Sequence, residues 1–208
     1  MGRRRQKDVN TDVTGDKNVY LLPIIPGFFG ILVVITPEWS SAYAYIWGVI
    51  MVLSLLWVVV GYIQQRHRDW SWHAFTNVIH WDLSALFMLF PFWRVMEQPI
   101  WLLFILSFLY VTCLILTHRY RKIIANSLWG SLRSRFGRIF KIAATLAVIL
   151  TGGGSYGFTR WLQVLYGYNS ALVIISTCLI PFSFIFIIMF HSQWVRVEDP
   201  NWDFDRKL

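Results

Sequence analysis

The positive charges of this chain fall almost entirely on one side of a series of apolar segments, and nothing else constrains the fold as strongly. Apolar stretches run over 20–36, 42–63, 76–93, 99–117, 142–158 and 170–190. Arg3, Arg4, Arg5, Lys7 and Lys17 precede the first, and Arg66 and Arg68 lie between the second and third. Arg119, Arg121, Lys122, Arg133, Arg135, Arg138 and Lys141 lie between the fourth and fifth, and Arg196, Arg206 and Lys207 follow the sixth. Of the 19 Lys and Arg residues, only Arg94 and Arg160 are left for the opposite loops. Lys and Arg in short loops stay on the cytoplasmic side, so the asymmetry predicts both span number and orientation. The expectation is an all-α integral membrane protein of the plasma (inner) membrane: a six-transmembrane-helix bundle with both termini cytoplasmic.

Composition agrees with a membrane domain. The chain is 56% hydrophobic and 14% charged, where soluble domains carry about 25% charged residues. Crossing a hydrocarbon core of ~30 Å takes about 20 apolar residues. Residues 20–190 therefore read as one six-span domain, between a flexible cytoplasmic tail at 1–19 and a second cytoplasmic tail at 191–208. The net charge of +8 belongs to the cytoplasmic rim, facing anionic lipid headgroups, and does not point to nucleic acid. Tryptophans support the same topology: Trp39, Trp47, Trp93, Trp101 and Trp161 fall near outer ends, and Trp70, Trp72, Trp129, Trp194 and Trp202 near inner ones. Amphipathic rings collect at both interfaces in this way. Trp57 is the exception, a mid-span indole whose N–H needs a partner.

Processing signals and cysteine chemistry add little. A basic leader, an apolar run and Ala42-Tyr43-Ala44 resemble a signal peptide with its cleavage site. Ala42 and Ala44 stand at the mouth of the second span, however, which favours a retained span. Met1-Gly2 is followed by Gln6 rather than Ser or Thr at position 6, so no myristoylation signal is present. Cys113 and Cys178 lie inside apolar runs without CxxC or metal-ligand spacing, and read as small buried hydrophobes.

The long inner connection at 119–141 has a pattern of its own. Ile124, Leu128, Leu132, Phe136 and Phe140 recur every four residues, while Arg121, Lys122, Arg133, Arg135, Arg138 and Lys141 supply a basic face. An interfacial amphipathic helix between spans 4 and 5 is expected, apolar face down and basic face toward lipid headgroups or a partner. Gly130 and Gly137 would divide it into two short helices. In the fifth span, Gly152, Gly153 and Gly154 permit either close helix packing or a helix break. In the sixth, Pro181 frees the carbonyl of Thr177, with Ser176, Thr177 and Ser183 placed to satisfy it.

The third span is the most chemically loaded. His73, Asn77, His80 and Ser84 fall within about 60° of one another at helical spacing. Asp82 points the opposite way, at a depth where an ionisable residue needs a partner or a water-filled pocket. His118, Lys122 and Lys141 are candidate partners. Asn77, His80, Asp82, Ser84 and His118 are thus candidates for a polar cavity. Three readings of the histidines stay open: tolerated interfacial residues, a proton-handling cavity, or metal or haem ligands. Their spacing matches no metal motif, and no metal site or cofactor is predicted. No nucleophile elbow, phosphate loop or dinucleotide fingerprint is present. The leading expectation is non-enzymatic: a small transporter component, or an accessory subunit bound to other membrane subunits. A membrane-embedded enzyme acting on a lipid-linked or anionic substrate is the alternative, and a haem- or metal-carrying redox subunit the next.

Overall fold

The structure, a computed structural model, describes residues 21–66, 69–130, 134–150 and 156–205. Among these residues the protein is all helical. The elements are α1 (Ile24–Ile35), α2 (Ser41–Ile63), α3 (Trp70–Val95), α4 (Ile100–Arg119), α5 (Arg121–Trp129), α6 (Arg135–Leu150), α7 (Tyr156–Tyr166) and α8 (Tyr168–Phe186). A π turn (Ile187–His191), a 3-10 turn (Ser192–Trp194) and the short α9 (Val195–Glu198) continue α8 without a gap. Three helices are long and apolar enough to cross a membrane: Ser41–Ile63, Ile100–Arg119 and the continuous Tyr168–Glu198. They mark the chain as a membrane protein.

The remaining expected spans look different, each for a physical reason. α3 has length to spare at 26 residues, but its polar residues keep it out of the apolar class. A helix walled by other helices need not be apolar all round, and α3 is the centre of the fold. It packs chiefly against α8 on one side and α1 on the other, burying Val78, Ala85, Phe87, Met88 and Leu89. Asp69 starts it by accepting a hydrogen bond from the Ser71 amide at 2.9 Å, which satisfies one of the orphan donors at a helix start. The stretch expected as one fifth span is divided between α6 and α7. The glycines at 152–154 lie outside the described residues.

The amphipathic connection also departs from a single surface helix. α5 ends at Gly130, whose backbone turns extended. α6 then runs from Arg135 straight through position 141 to Leu150, so no boundary separates the expected interfacial segment from the span after it. Gly137 sits where α6 crosses α5, and a Cβ there would overlap the Ser127 carbonyl. The glycine is a close-contact point rather than a break. Beyond α9 the chain folds back on α5: Ala125, Val195 and Trp202 form a small core, and Trp202 Nε1 donates to Asn126 Oδ1 at 2.9 Å.

α2 is the least enclosed of the long helices, burying only Val58 and Gly61. Its attachment to α3 is made by side chains reaching across. The Trp72 ring occupies the space a Cβ at Gly61 would need, and it stacks on Trp57 at 6.3 Å between centroids. The mid-span indole of Trp57 finds its partner here, donating to Thr76 Oγ1 at 3.1 Å.

At the other end of the bundle, Arg94 is almost fully buried, with 6% of its surface exposed. It does not pair with Glu97. Its guanidinium donates to the carbonyls of Val33, Val34 and Glu38 and lies 4.4 Å over the Tyr43 ring. The carbonyls at the end of α1 carry the negative pole of that helix, so the cation is balanced by a helix terminus instead of an acid.

Candidate functional site

The polar stripe of α3 lies over a seam and is shared between two neighbours. His80, 2% exposed, faces α2. Its Nδ1 lies 2.7 Å from the Thr76 carbonyl, which can only accept, so that nitrogen carries the hydrogen. In the neutral ring Nε2 is then an acceptor, and Ser54 Oγ donates to it at 2.7 Å. Asn77, on the other flank, faces the C-terminal segment: its amide donates to Gln193 Oε1 at 3.2 Å and accepts from Trp81 Nε1 at 3.1 Å. Ser84 is spent locally, donating to the His80 carbonyl at 2.7 Å. All three side chains are engaged by protein partners.

Asp82 has a different fate. Its Oδ2 accepts from His191 Nδ1 at 2.6 Å, and His191 is itself buried. The His191 Nε2 lies 3.3 Å from His118 Nδ1. Asp82 and His118 therefore belong to one cluster, linked by the imidazole of His191. Lys122 is not part of it and lies over the Trp202 ring, 5.4 Å from the centroid. Lys141 is exposed on α6.

The π turn is what delivers His191. A π turn accommodates more residues than an α turn, so adjacent side chains splay less, and such turns are frequent at functional sites. Phe190 stacks on Trp81 with centroids 3.8 Å apart, while its neighbour His191 reaches Asp82, the residue after Trp81. Trp194 closes the cluster, with its ring 5.6 Å from His191 and 5.5 Å from His118. Tyr110 ties α4 to the same level by donating to the Asp82 carbonyl at 2.9 Å.

From His191 toward Glu198 exposure rises, while the Asp82 side chain at 16% is slightly more open than that of His191 at 10%. His191 is buried, His118 is half-buried at the end of α4, and Glu198 beyond it is exposed. Arg121 bridges the last step, donating to the His118 carbonyl at 2.7 Å and pairing with Glu198 at 2.5 Å. It is a fixed internal strut here rather than a free member of the basic rim. At the inner end, Asp82 Oδ1 is buried and receives no hydrogen bond. Buried carboxylate oxygens are nearly always satisfied, so an orphan of this kind calls for an explanation.

Two other expected features fall elsewhere. Around Pro181, the hydroxyls of Ser176 and Thr177 bond carbonyls one turn back in α8. Ser183 crosses to α3 and donates to the Ala85 carbonyl at 2.7 Å. Ser183 alone ties two helices together, and none of the three hydroxyls donates to the Thr177 carbonyl. Arg135 and Arg138 are exposed on α6, and Arg133 lies outside the described residues. Among the described residues, no group of three or more His, Cys, Asp or Glu is arranged to hold a metal ion.

The fold and cluster define a class: an all-helical membrane protein with a carboxylate–imidazole–imidazole chain leading inward from one helix end. No family model, curated protein or solved structure matches the chain.

Proposed function

We propose that this chain is a proton-coupled component of a small membrane transporter, with six spans in the plasma membrane and both termini in the cytoplasm. The observation that carries the reading is the contact series Asp82–His191–His118, which ends on an unsatisfied carboxylate oxygen. Imidazole is the side chain whose ordinary protonation equilibrium lies near neutral pH. A proton accepted by His118 can pass across the N···N contact to His191 Nε2. His191 then releases its Nδ1 proton to Asp82 and returns to a neutral ring. A carboxylate alternating between charged and neutral inside a bundle changes which helix arrangement is favoured, and that is the coupling such a transporter needs.

The test uses purified protein in sealed vesicles containing a pH-sensitive dye. An imposed membrane potential is expected to drive protons across in vesicles with protein and not in empty ones. Vesicles with folded protein that stay as tight as empty ones would refute proton coupling. Topology is checked separately. Reporters fused after Lys17, Arg68, Arg135 and Leu208 are expected on the cytoplasmic side, and those near Ser40 and Arg160 on the other. One reversed result among the first four sinks the six-span arrangement.

A second reading, an accessory subunit of a larger assembly, draws on α2. Val49, Val52, Leu53, Leu56 and Val60 all point outward. Lipid covers such a face as readily as another helix does, and co-purification in mild detergent separates the two.

A further inference from the structure

A cleft of about 350 Å³ opens between α5, α6 and the π turn, and none of its lining residues belongs to the Asp82 cluster. Leu128, Trp129, Phe140 and Met189 wall it, and Lys141 stands at its edge. Its volume falls in the range of ligand-binding pockets, and its lining divides sharply between apolar surface and one cation. Lys141 is exposed and makes no ion pair with any described residue. Arg138 lies one helical turn before it and is exposed as well. Apolar walls with a cation at the lip match an amphiphile whose head is anionic. We infer that the cleft seats an anionic phospholipid, its phosphate at Lys141 and an acyl chain along Phe140, Leu128 and Met189.

The inference rests on the proposed topology in one respect, that this basic end faces the cytoplasmic leaflet, where anionic lipids gather. It also bears on the proton chain. Trp129 Nε1 donates to the Met189 carbonyl at 3.4 Å, and Met189 belongs to the π turn that carries His191. A lipid against this wall touches the element that sets the His191–Asp82 contact.

Native mass spectrometry of the full chain, stripped of lipid in detergent, tests the site with three probes: phosphatidylglycerol, phosphatidylcholine and inorganic phosphate. Phosphatidylglycerol is expected to be retained about fivefold more strongly than phosphatidylcholine, the equivalent of ~1 kcal/mol for one Lys near an anionic headgroup. Lys141→Ala is expected to remove that preference and Lys141→Arg to keep it. Because Lys141 is exposed, neither change threatens the fold. Equal retention of both lipids, or a preference untouched by Lys141→Ala, would overturn the assignment. So would free phosphate binding as tightly as phosphatidylglycerol, because the acyl chain would then contribute nothing. Binding in detergent depends on neither proton flux nor orientation, so failure here is separable from failure of the transporter reading.

Discussion

Vesicles carrying Asp82→Asn are expected to lose proton flux by roughly a hundredfold or more, the scale on which one positioned proton carrier matters. The amide oxygen of Asn can still accept from His191 Nδ1, so the contact at 2.6 Å keeps a partner. What is lost is a group that can take the proton. Little change in thermal unfolding is therefore expected, and the split between flux and stability is the diagnostic result. His191→Gln should behave similarly, since an amide can donate to Asp82 but cannot relay. His118→Gln, at the half-buried end, should slow entry and give a smaller loss. Full flux in Asp82→Asn would show that the carboxylate is structural and would remove the basis of the proposed coupling.

Arg94→Ala should give the largest loss of stability in the molecule. The substitution strands the buried carbonyl of Val33, takes one of two donors from Val34, which keeps the Ser40 amide, and removes a donor from the exposed Glu38; a buried acceptor left unpaired costs ~1–3 kcal/mol. A loss of about 2 kcal/mol is expected, read as reduced thermal stability in detergent, with the α1–α2 hairpin detaching first. Arg94→Lys should recover only part of it. An ammonium is a point charge and cannot reproduce a planar fork that reaches several acceptors. A loss below ~1 kcal/mol for Arg94→Ala would mean that water already reaches these carbonyls.

What the sequence could reveal depended on whether each feature was local. α2 and α4 agree with their apolar runs to within two residues, because length and hydropathy decide a span before any packing does. Asp82 stood out for the same reason, as one ionisable residue at depth. His191 did not, since its role depends on a π turn, and a π turn is a packing outcome with no sequence signature of its own. His118 stands in the last turn of α4, among the candidate partners for Asp82. Height placed His118 near the right level, but only the bundle's rotational settings decide which imidazole makes the contact. The stripe of α3 was legible as a stripe, while its division between Ser54 and Gln193 was not. Periodicity reports a face and is silent about a seam. The end of α5 at Gly130 was readable from the glycine. The continuity of α6 was not, because basic residues in its first turns looked like a surface helix although the backbone runs on.

The 12 residues of α1 make only ~18 Å of helix, against a hydrocarbon core of ~30 Å. In the proposed six-span arrangement a bilayer along that wall would have to thin, or water would have to descend to the helix end where Arg94 is held, each Å of mismatch costing a fraction of a kcal/mol. Because α1 packs on α3, the lipid dimple would form alongside the central helix. The membrane beside this protein would then be lopsided, thinner on the α1 flank than along α2 or α4. Bilayer thickness would then become a variable the molecule responds to, with thicker lipid pressing hardest on the α1 flank.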